Sequence, residues 1–438
     1  MANAATTTRT PGQDGPGRKG PRRGGTRAQA GAGARSAAQR GGPVRADAGF
    51  QPRPGRIGRI QVVRVVLLEA AAALILAPLL AKHMVWLAGS APIAALCVAG
   101  ALAGGGRGFG QSSLVRSEFR ERRARRDVDA GGEAAIAPLR ETFPALRTAS
   151  VSTRNGDPVG MIGDGTFLTA VVRVAARTEP LRAPRTAQPL PLGVVAGVLS
   201  DDRLEASCIQ IVTHTQPAPA PYLPPHALAV RSYQGVAEDV PAQRTTWIAV
   251  RLDPQEAAGA IEARGGGAIG AQRTLLTAVQ RVASDLEGAG FDATLLSEPE
   301  LITALGTACS VGAAPRVAGA VRRTEESRRA WRCDDRWHTS YWVDKLPRLS
   351  ADTTPNLVAA MTSVPTLATA LAVTATRGTG GSVGFSMHVR VAARSEAQLV
   401  EAAKTLEQRA AKAGAGLSRL DGEQLPGLIA TIPLGGEA

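Results

Sequence analysis

The sequence predicts an α/β fold of two similar cytosolic lobes with mixed sheets, preceded by a two-helix transmembrane hairpin. Three observations predict it. Val62–Leu80 and Met84–Ala103 are apolar runs separated only by Ala81, Lys82 and His83. From about residue 138 onward, segments of strand-like alternation take turns with segments of helical spacing. Finally, Leu275–Leu305 aligns without gaps on Leu399–Ile429, and the pairs Leu275/Leu399, Ala278/Ala402, Ala289/Ala413, Gly290/Gly414, Leu296/Leu420 and Leu301/Leu425 are identical.

Residues 1–55 are almost wholly Gly, Ala, Arg, Pro, Thr and Gln, with Phe50 as their one aromatic residue. Such a composition buries too little apolar surface to offset the entropy of ordering, so a disordered basic tail is expected. Residues 56–104 hold the hairpin. Each run is close to the roughly 20 apolar residues that a helix needs to cross a hydrocarbon core about 30 Å thick. The first run begins too far into the chain for a cleaved signal peptide, and a second follows at once. Arg53, Arg56, Arg59 and Arg64 lead into the pair, while Arg107, Arg116, Arg120, Arg122, Arg123, Arg125 and Arg126 follow it. The loop between offers only Lys82 and His83. Basic residues accumulate on the cytoplasmic side of short flanks, so both ends of the hairpin, and both termini, are expected in the cytoplasm of a multi-pass plasma-membrane protein.

Charge sharpens this picture. The net charge of +14 is unevenly spread: residues 1–60 carry 12 basic and 2 acidic side chains, residues 104–127 carry 7 and 3, and residues 128–438 carry 30 and 31. A nucleic-acid binder would show its basic footprint on the folded region. Here the excess lies in the tail and beside the hairpin, where it fits topology and attraction to anionic lipid. No specific nucleic-acid partner is expected.

Residues 105–137 read as a basic juxtamembrane helix and linker. Within Ser117–Asp129, Glu118 with Arg122 and Glu121 with Arg125 are four residues apart in the favourable order, and Gly131-Gly132 opens the linker. The first lobe, residues 138–310, begins with strands at Val151–Thr153, Pro158–Ile162 and Phe167–Ala175, with the hairpin-turn pair Asn155-Gly156 after the first. A short helix at Leu190–Leu199 and strands at Ala206–Thr213 and Trp247–Leu252 follow. Leu275, Val279, Val282 and Leu286 have helical spacing in Leu275–Glu287. A strand Ala293–Leu296 and a helix from Glu298 to Leu305 complete the lobe. The second lobe, residues 311–438, reads as a duplication of the first, with Phe385–Val391 matching Trp247–Leu252 in kind.

The search for reactive chemistry returns little. Gly265, Gly267 and Gly270 spell GxGxxG but do not follow a strand directly, as a dinucleotide site requires. Gly104–Gly110 lacks the Lys-Ser/Thr of a phosphate loop. The five histidines do not cluster with carboxylates or cysteines at metal-ligand spacing, Cys333 and His338 being the nearest approach. Cys97, Cys208, Cys309 and Cys333 form no CxxC pair and read as buried small hydrophobes. Catalytic, cofactor-binding and metal-binding residues are therefore all expected to be absent. The rival reading is a membrane-anchored transferase using a nucleotide-linked donor between the lobes, with Asp201-Asp202 or Asp334-Asp335 as its acidic pair; both pairs also read as solvated turns.

Two features invite interaction. Glu69 lies inside the first crossing, where an ionised side chain is costly and seeks a partner; a contact with another subunit or with the second crossing competes with a protonated or snorkelling carboxyl. Pro78 and Pro92 are expected to kink their helices, and Gly89, Ser90 and Gly100 offer small surfaces for packing. Trp331, Trp337, Tyr341 and Trp342 concentrate aromatic residues in a chain with only 3% of them. They read either as packing between the lobes or as a docking patch.

The basic tail, the short-looped transmembrane pair and the α/β region without catalytic motifs together resemble EccE, the E component of the type VII (ESX) secretion machinery of actinobacteria. Arg154–Val174 (RNGDPVGMIGDGTFLTAVVRV) is similar to the turn-and-strand start of that family's folded region. The resemblance implies a structural or regulatory subunit of an inner-membrane secretion complex. It also implies the B, C and D components as partners, the C component being an FtsK-like ATPase.

Overall fold

The computed structural model describes residues 56–57, 60–80, 84–103, 109–124, 135–177, 190–201, 204–217, 228, 243–311, 322–347, 353–377 and 382–436, all within the unit Pro43–Ala438. The expected tail and the residues Arg53, Arg59, Arg125 and Arg126 lie outside them.

Two short strands, β1 (Arg56–Ile57) and β2 (Ile60–Gln61), pair antiparallel ahead of the apolar helices. Helices α1 (Val62–Leu80) and α2 (Met84–Ala103) have the bounds of the two apolar runs. They pack against each other with Ala71 and Ala94 buried. Side chains are described here only for residues 68–77, 80 and 89–98, and among the described residues no helix is long and apolar enough to cross a membrane. Helix α3 (Phe109–Ala124) follows, starting eight residues earlier than the charge pattern suggested. The short α4 (Ala137–Arg140) then opens the body.

The body is built on one sheet. Its first half runs β3 (Arg147–Ser152), β4 (Pro158–Gly163), β5 (Leu168–Ala176), α5 (Leu192–Ser200), β6 (Cys208–Gln216), β7 (Gln243–Leu252), α6 (Ala258–Ala263), α7 (Gly267–Gly288), β8 (Phe291–Leu295) and α8 (Glu298–Ala308). Its second half runs β9 (Thr324–Glu326), β10 (Trp331–Cys333), β11 (Arg336–Lys345), α9 (Thr353–Thr362), β12 (Ala368–Arg377), β13 (Val383–Ala393), α10 (Glu396–Lys412), β14 (Gly416–Arg419) and α11 (Gln424–Ile429). The order of elements is the same in both halves apart from α6.

Local chemistry accounts for many of these elements. Gly156, at φ +90°, supplies the left-handed residue of the β3–β4 turn, and its N–H donates to Thr153 O at 3.1 Å. Leu275, Val279, Val282 and Leu286 form one fully buried stripe of α7. The Glu300 carboxylate accepts the Ser297 N–H at 2.9 Å to close the start of α8, which holds its carboxyl below the ordinary value. Ser395 Oγ accepts the Gln398 N–H at the start of α10.

The expectation of two mixed sheets is corrected. Twelve strands form one sheet in the order β3-β4-β5-β7-β6-β12-β13-β11-β10-β9, with β8 added on β5 and β14 on β11. Every pairing in it is antiparallel. The cause is the way each helical crossover lands. α5 returns the chain as β6 in the direction of β5 but one strand away, and the hairpin strand β7 fills the gap antiparallel; α9, β12 and β13 repeat the arrangement beside β11. Each half is thus a split βαβ unit extended by β8 or β14. The expected boundary at residues 310 and 311 comes with no break in the sheet, because β6 pairs β12 from Cys208↔Thr376 to Thr215↔Thr369.

Helices cover both faces. α5, α7, α9 and α10 bury the odd-numbered residues of β6 and β12 and their neighbours, among them Ile209, Leu371, Val389 and Val391. α4, α8, α11 and the segment after α11 cover Val212, Trp247 and Ala372 on the other side. That last segment leaves the second half and lies on strands of the first. Gln210 donates to Ala430 O and accepts the Gly435 N–H, both at 2.9 Å, and Thr169 Oγ1 donates to Leu434 O at 2.9 Å. Gly435 sits at φ +95°, and a Cβ there would meet Arg251 Cβ at 2.6 Å.

Candidate functional site

The most distinctive constellation of the described residues is the joint between α3 and the body. At 100° per residue Val115 and Arg122 fall on one side of α3, and both meet the turn at Gly422. Arg122 Nε donates to Glu326 Oε2 at 3.0 Å, while its Nη2 donates to Glu326 Oε1 at 3.3 Å and to Gly422 O at 2.7 Å. This two-pronged geometry is what a guanidinium and a carboxylate do best. The Glu326 side chain is only 5% exposed, that of Arg122 18%. Glu326 Oε1 also accepts the Leu425 N–H at 3.0 Å at the start of α11.

A second buried carboxylate grips the same short strand from the other side. Glu141, just after α4, accepts the N–H groups of Arg323 and Thr324 and the Thr324 hydroxyl, all within 2.9–3.1 Å. β9 is therefore held through Glu141 to α4 and through Glu326 to α3 and α11. Between these contacts lies a groove of about 530 Å³ whose lining includes Arg122, Arg123, Glu141, Phe143, Glu326 and Trp331. Nearby, Asp334 occupies the left-handed region at φ +51° and takes the Arg323 guanidinium at 2.6 and 2.9 Å. The chemistry of the joint suits holding α3 against a sheet edge.

A buried polar row runs through the second half on the face under α8 and α11. Arg390 of β13 is fully buried; its Nε donates to Thr431 Oγ1 at 2.7 Å, its Nη2 to Ala308 O, and its Nη1 to His338 Nδ1 at 2.7 Å. An arginine only donates, so His338 is neutral with its proton on Nε2, an atom with no hydrogen-bond partner among the described residues. Burial, with Arg390 adding to it, pushes His338 well below the ordinary histidine value and His214 down to about 3. Burial also lowers Arg390 to about 10 and raises the Cys309 thiol to about 12. Among the described residues no group of three or more His, Cys, Asp or Glu is placed to hold a metal ion, and the four cysteines are free thiols.

The residues singled out from the sequence fall in different places. Glu69 is exposed on α1, away from the buried contact at Ala71. The four aromatic residues do not share one face. Strand alternation sends Trp337 and Tyr341 to one face of β11 and Trp342 to the other. Tyr341 is buried, donating to Glu407 Oε1 at 2.8 Å. Trp342 is buried edge-on against His388, with ring centroids 4.6 Å apart, and Trp331 lies buried beside His338. Only Trp337 is half-buried.

Arg122 is half-buried and bonded to Glu326, whereas Arg116, Arg120 and Arg123 are exposed. Of the Asp334-Asp335 pair, Asp334 is bound to Arg323 and Asp335 to Arg336. Gly267 and Gly270 begin α7 after helix α6, and Gly270 packs against the Ile261 backbone. Glu141 and Glu326 carried no signal in the sequence, since their partners lie 182–183 and 204 residues away.

Residues 240–343, from just before β7 through most of β11, match the model of a family described as "type VII ESX secretion system translocon, EccE". That class of protein, a component of a type VII secretion translocon, is what this segment is similar to. The matched family is the one that the sequence resembles; Arg154–Val174 lies outside the match. No curated protein matches the chain. Among solved structures, it is similar to an alkyldihydroxyacetonephosphate synthase at 9% identity, with 60% of this chain and 42% of that chain covered and a TM-score of 0.24. The chain thus spans less than half the length of that protein.

Proposed function

We propose that the chain is a non-catalytic structural or regulatory membrane subunit of a type VII (ESX) secretion complex in the plasma membrane. The helix pair Val62–Ala103 anchors it with both ends in the cytoplasm, and the two similar halves of the body dock on cytosolic domains of neighbouring subunits. The observation that carries this reading is the family match over residues 240–343, which runs across the seam between the halves. The placement of helices on both apolar runs and the bonding of α3 to the body support it, because together they connect the anchor to the sheet by a fixed contact. The partners are the B, C and D components, the C component being the FtsK-like ATPase that supplies the energy. Gentle detergent extraction followed by affinity purification of the full chain tests this. Co-elution with several larger membrane subunits including an ATPase is expected; recovery as a lone monomer would refute it.

A further inference from the structure

We propose that α3 is divided by face: Arg122 fastens it to the body, while Arg116, Arg120 and Arg123 form a row that meets an anionic bilayer surface. The proposal rests on reading α1 and α2 as the membrane anchor, and it names the partner of the helix that follows them.

The row is geometric. Taking Arg116 as the origin, Arg120 and Arg123 fall within an arc of about 60° at roughly 100° per residue, and the three span about 10 Å of helix. Glu118 and Glu121 lie about 140–200° away, and the body-facing pair Val115 and Arg122 at about 240–260°. The basic row is therefore separated from both the helix's own acids and the surface that holds it. All three arginines are exposed, and none forms an ion pair among the described residues. Arg122, next to Arg123 in the chain but about 100° round the helix, is by contrast bonded to Glu326 and lies 3.8 Å from Glu118. Arg123 folds over the half-buried Phe119 ring at 5.7 Å, an arrangement that keeps its charge at the outer surface.

Position favours lipid as the occupant. α2 ends at Ala103 and α3 begins at Phe109, and the five residues between reach at most about 20 Å. A row of three arginines held so near the end of an apolar helix lies where the surface potential of an anionic leaflet acts. That attraction is about fivefold per basic residue, hence about a hundredfold for three. The Arg122–Glu326 contact fixes which side of α3 is left outward, so the row cannot turn inward without breaking a buried pair.

The test uses the full chain in nanodiscs of phosphatidylcholine alone or with about a third phosphatidylglycerol, followed by hydrogen exchange of the amides of residues 109–124. At least a tenfold slower exchange is expected in the anionic discs at low salt, shrinking as salt rises. The variant R116Q/R120Q/R123Q should lose the difference while its β7 amides (residues 243–252) exchange as before, showing an intact fold. R122Q should loosen 109–124 in both kinds of disc. Equal exchange in both lipids, or a difference that survives the triple variant, would overturn the proposal. So would protection that needs other membrane subunits and not anionic lipid, which would assign the row to a protein partner. Release of the chain from the discs by alkaline carbonate marks failure of the anchor reading itself, a separate readout from the lipid dependence of α3.

Discussion

His214 makes a quantitative test of how burial tunes a histidine in this sheet. It lies on β6 opposite Ala370, its Nε2 is 3.2 Å from Gln216 Nε2, and its ring is 5.9 Å from that of Trp247. Burial, then the Arg390 charge, depresses it from 6.5 to about 3. The sign follows directly: a histidine whose folded value is depressed contributes fully above its unfolded value, and that contribution is lost as pH falls toward the folded one. In this window the unfolded chain takes up a proton that folded His214 refuses. At about pH 5 the deficit is about 2 kcal/mol for an unfolded value near 6.5. His338 is shifted in the same direction and adds to the loss. Urea unfolding in detergent micelles, followed by tryptophan fluorescence at about pH 7.5 and about pH 5, should show the wild type losing about 2 kcal/mol more than H214F across that interval. Only the change with pH is compared, so any cost of the substitution itself cancels. An equal loss in both proteins would mean that His214 takes up its proton while folded, and would refute the burial argument.

Two further perturbations address other contacts. G435V forces a branched side chain into a left-handed backbone position against Arg251 and should lower stability by about 2 kcal/mol or more, seen as a reduced melting temperature. E69Q replaces the carboxyl exposed on α1; complex yield after mild extraction should fall if a carboxylate there pairs with another subunit, and unchanged yield would eliminate the charged-pair version.

Much of the scaffold was legible because local signals and fold agree. The Asn155-Gly156 turn, the α7 stripe and the gap-free match of Leu275–Leu305 with Leu399–Ile429 all correspond to elements at or near the expected positions. What stayed hidden depends on distance along the chain. Ser386, His388 and Arg390 alternate with Met387, Val389 and Val391, a pattern that reads as a strand with one wet face. α8 and α11 cover that face, so Arg390 is buried and bonded to Ala308, 82 residues away. The aromatic residues left two readings open, packing or docking, because a period of two separates Tyr341 from Trp342 but does not say which face is covered. The joint at Glu326 offered nothing local to read, since two adjacent acidic residues in a short strand have many ordinary roles.

The path of the segment after α11 has a consequence for how the molecule comes into being. Residues 430–435 are bonded to Thr169, Gln210 and Cys208, which leave the ribosome more than 200 residues earlier. Until that segment is made, the first half must wait with part of one sheet face uncovered and with β6 lacking its neighbour β12. The body is therefore completed only once residues 430–435 have been made, and as a whole. The twofold-looking plan of the sheet describes its architecture and not a division into parts that could be completed one after the other.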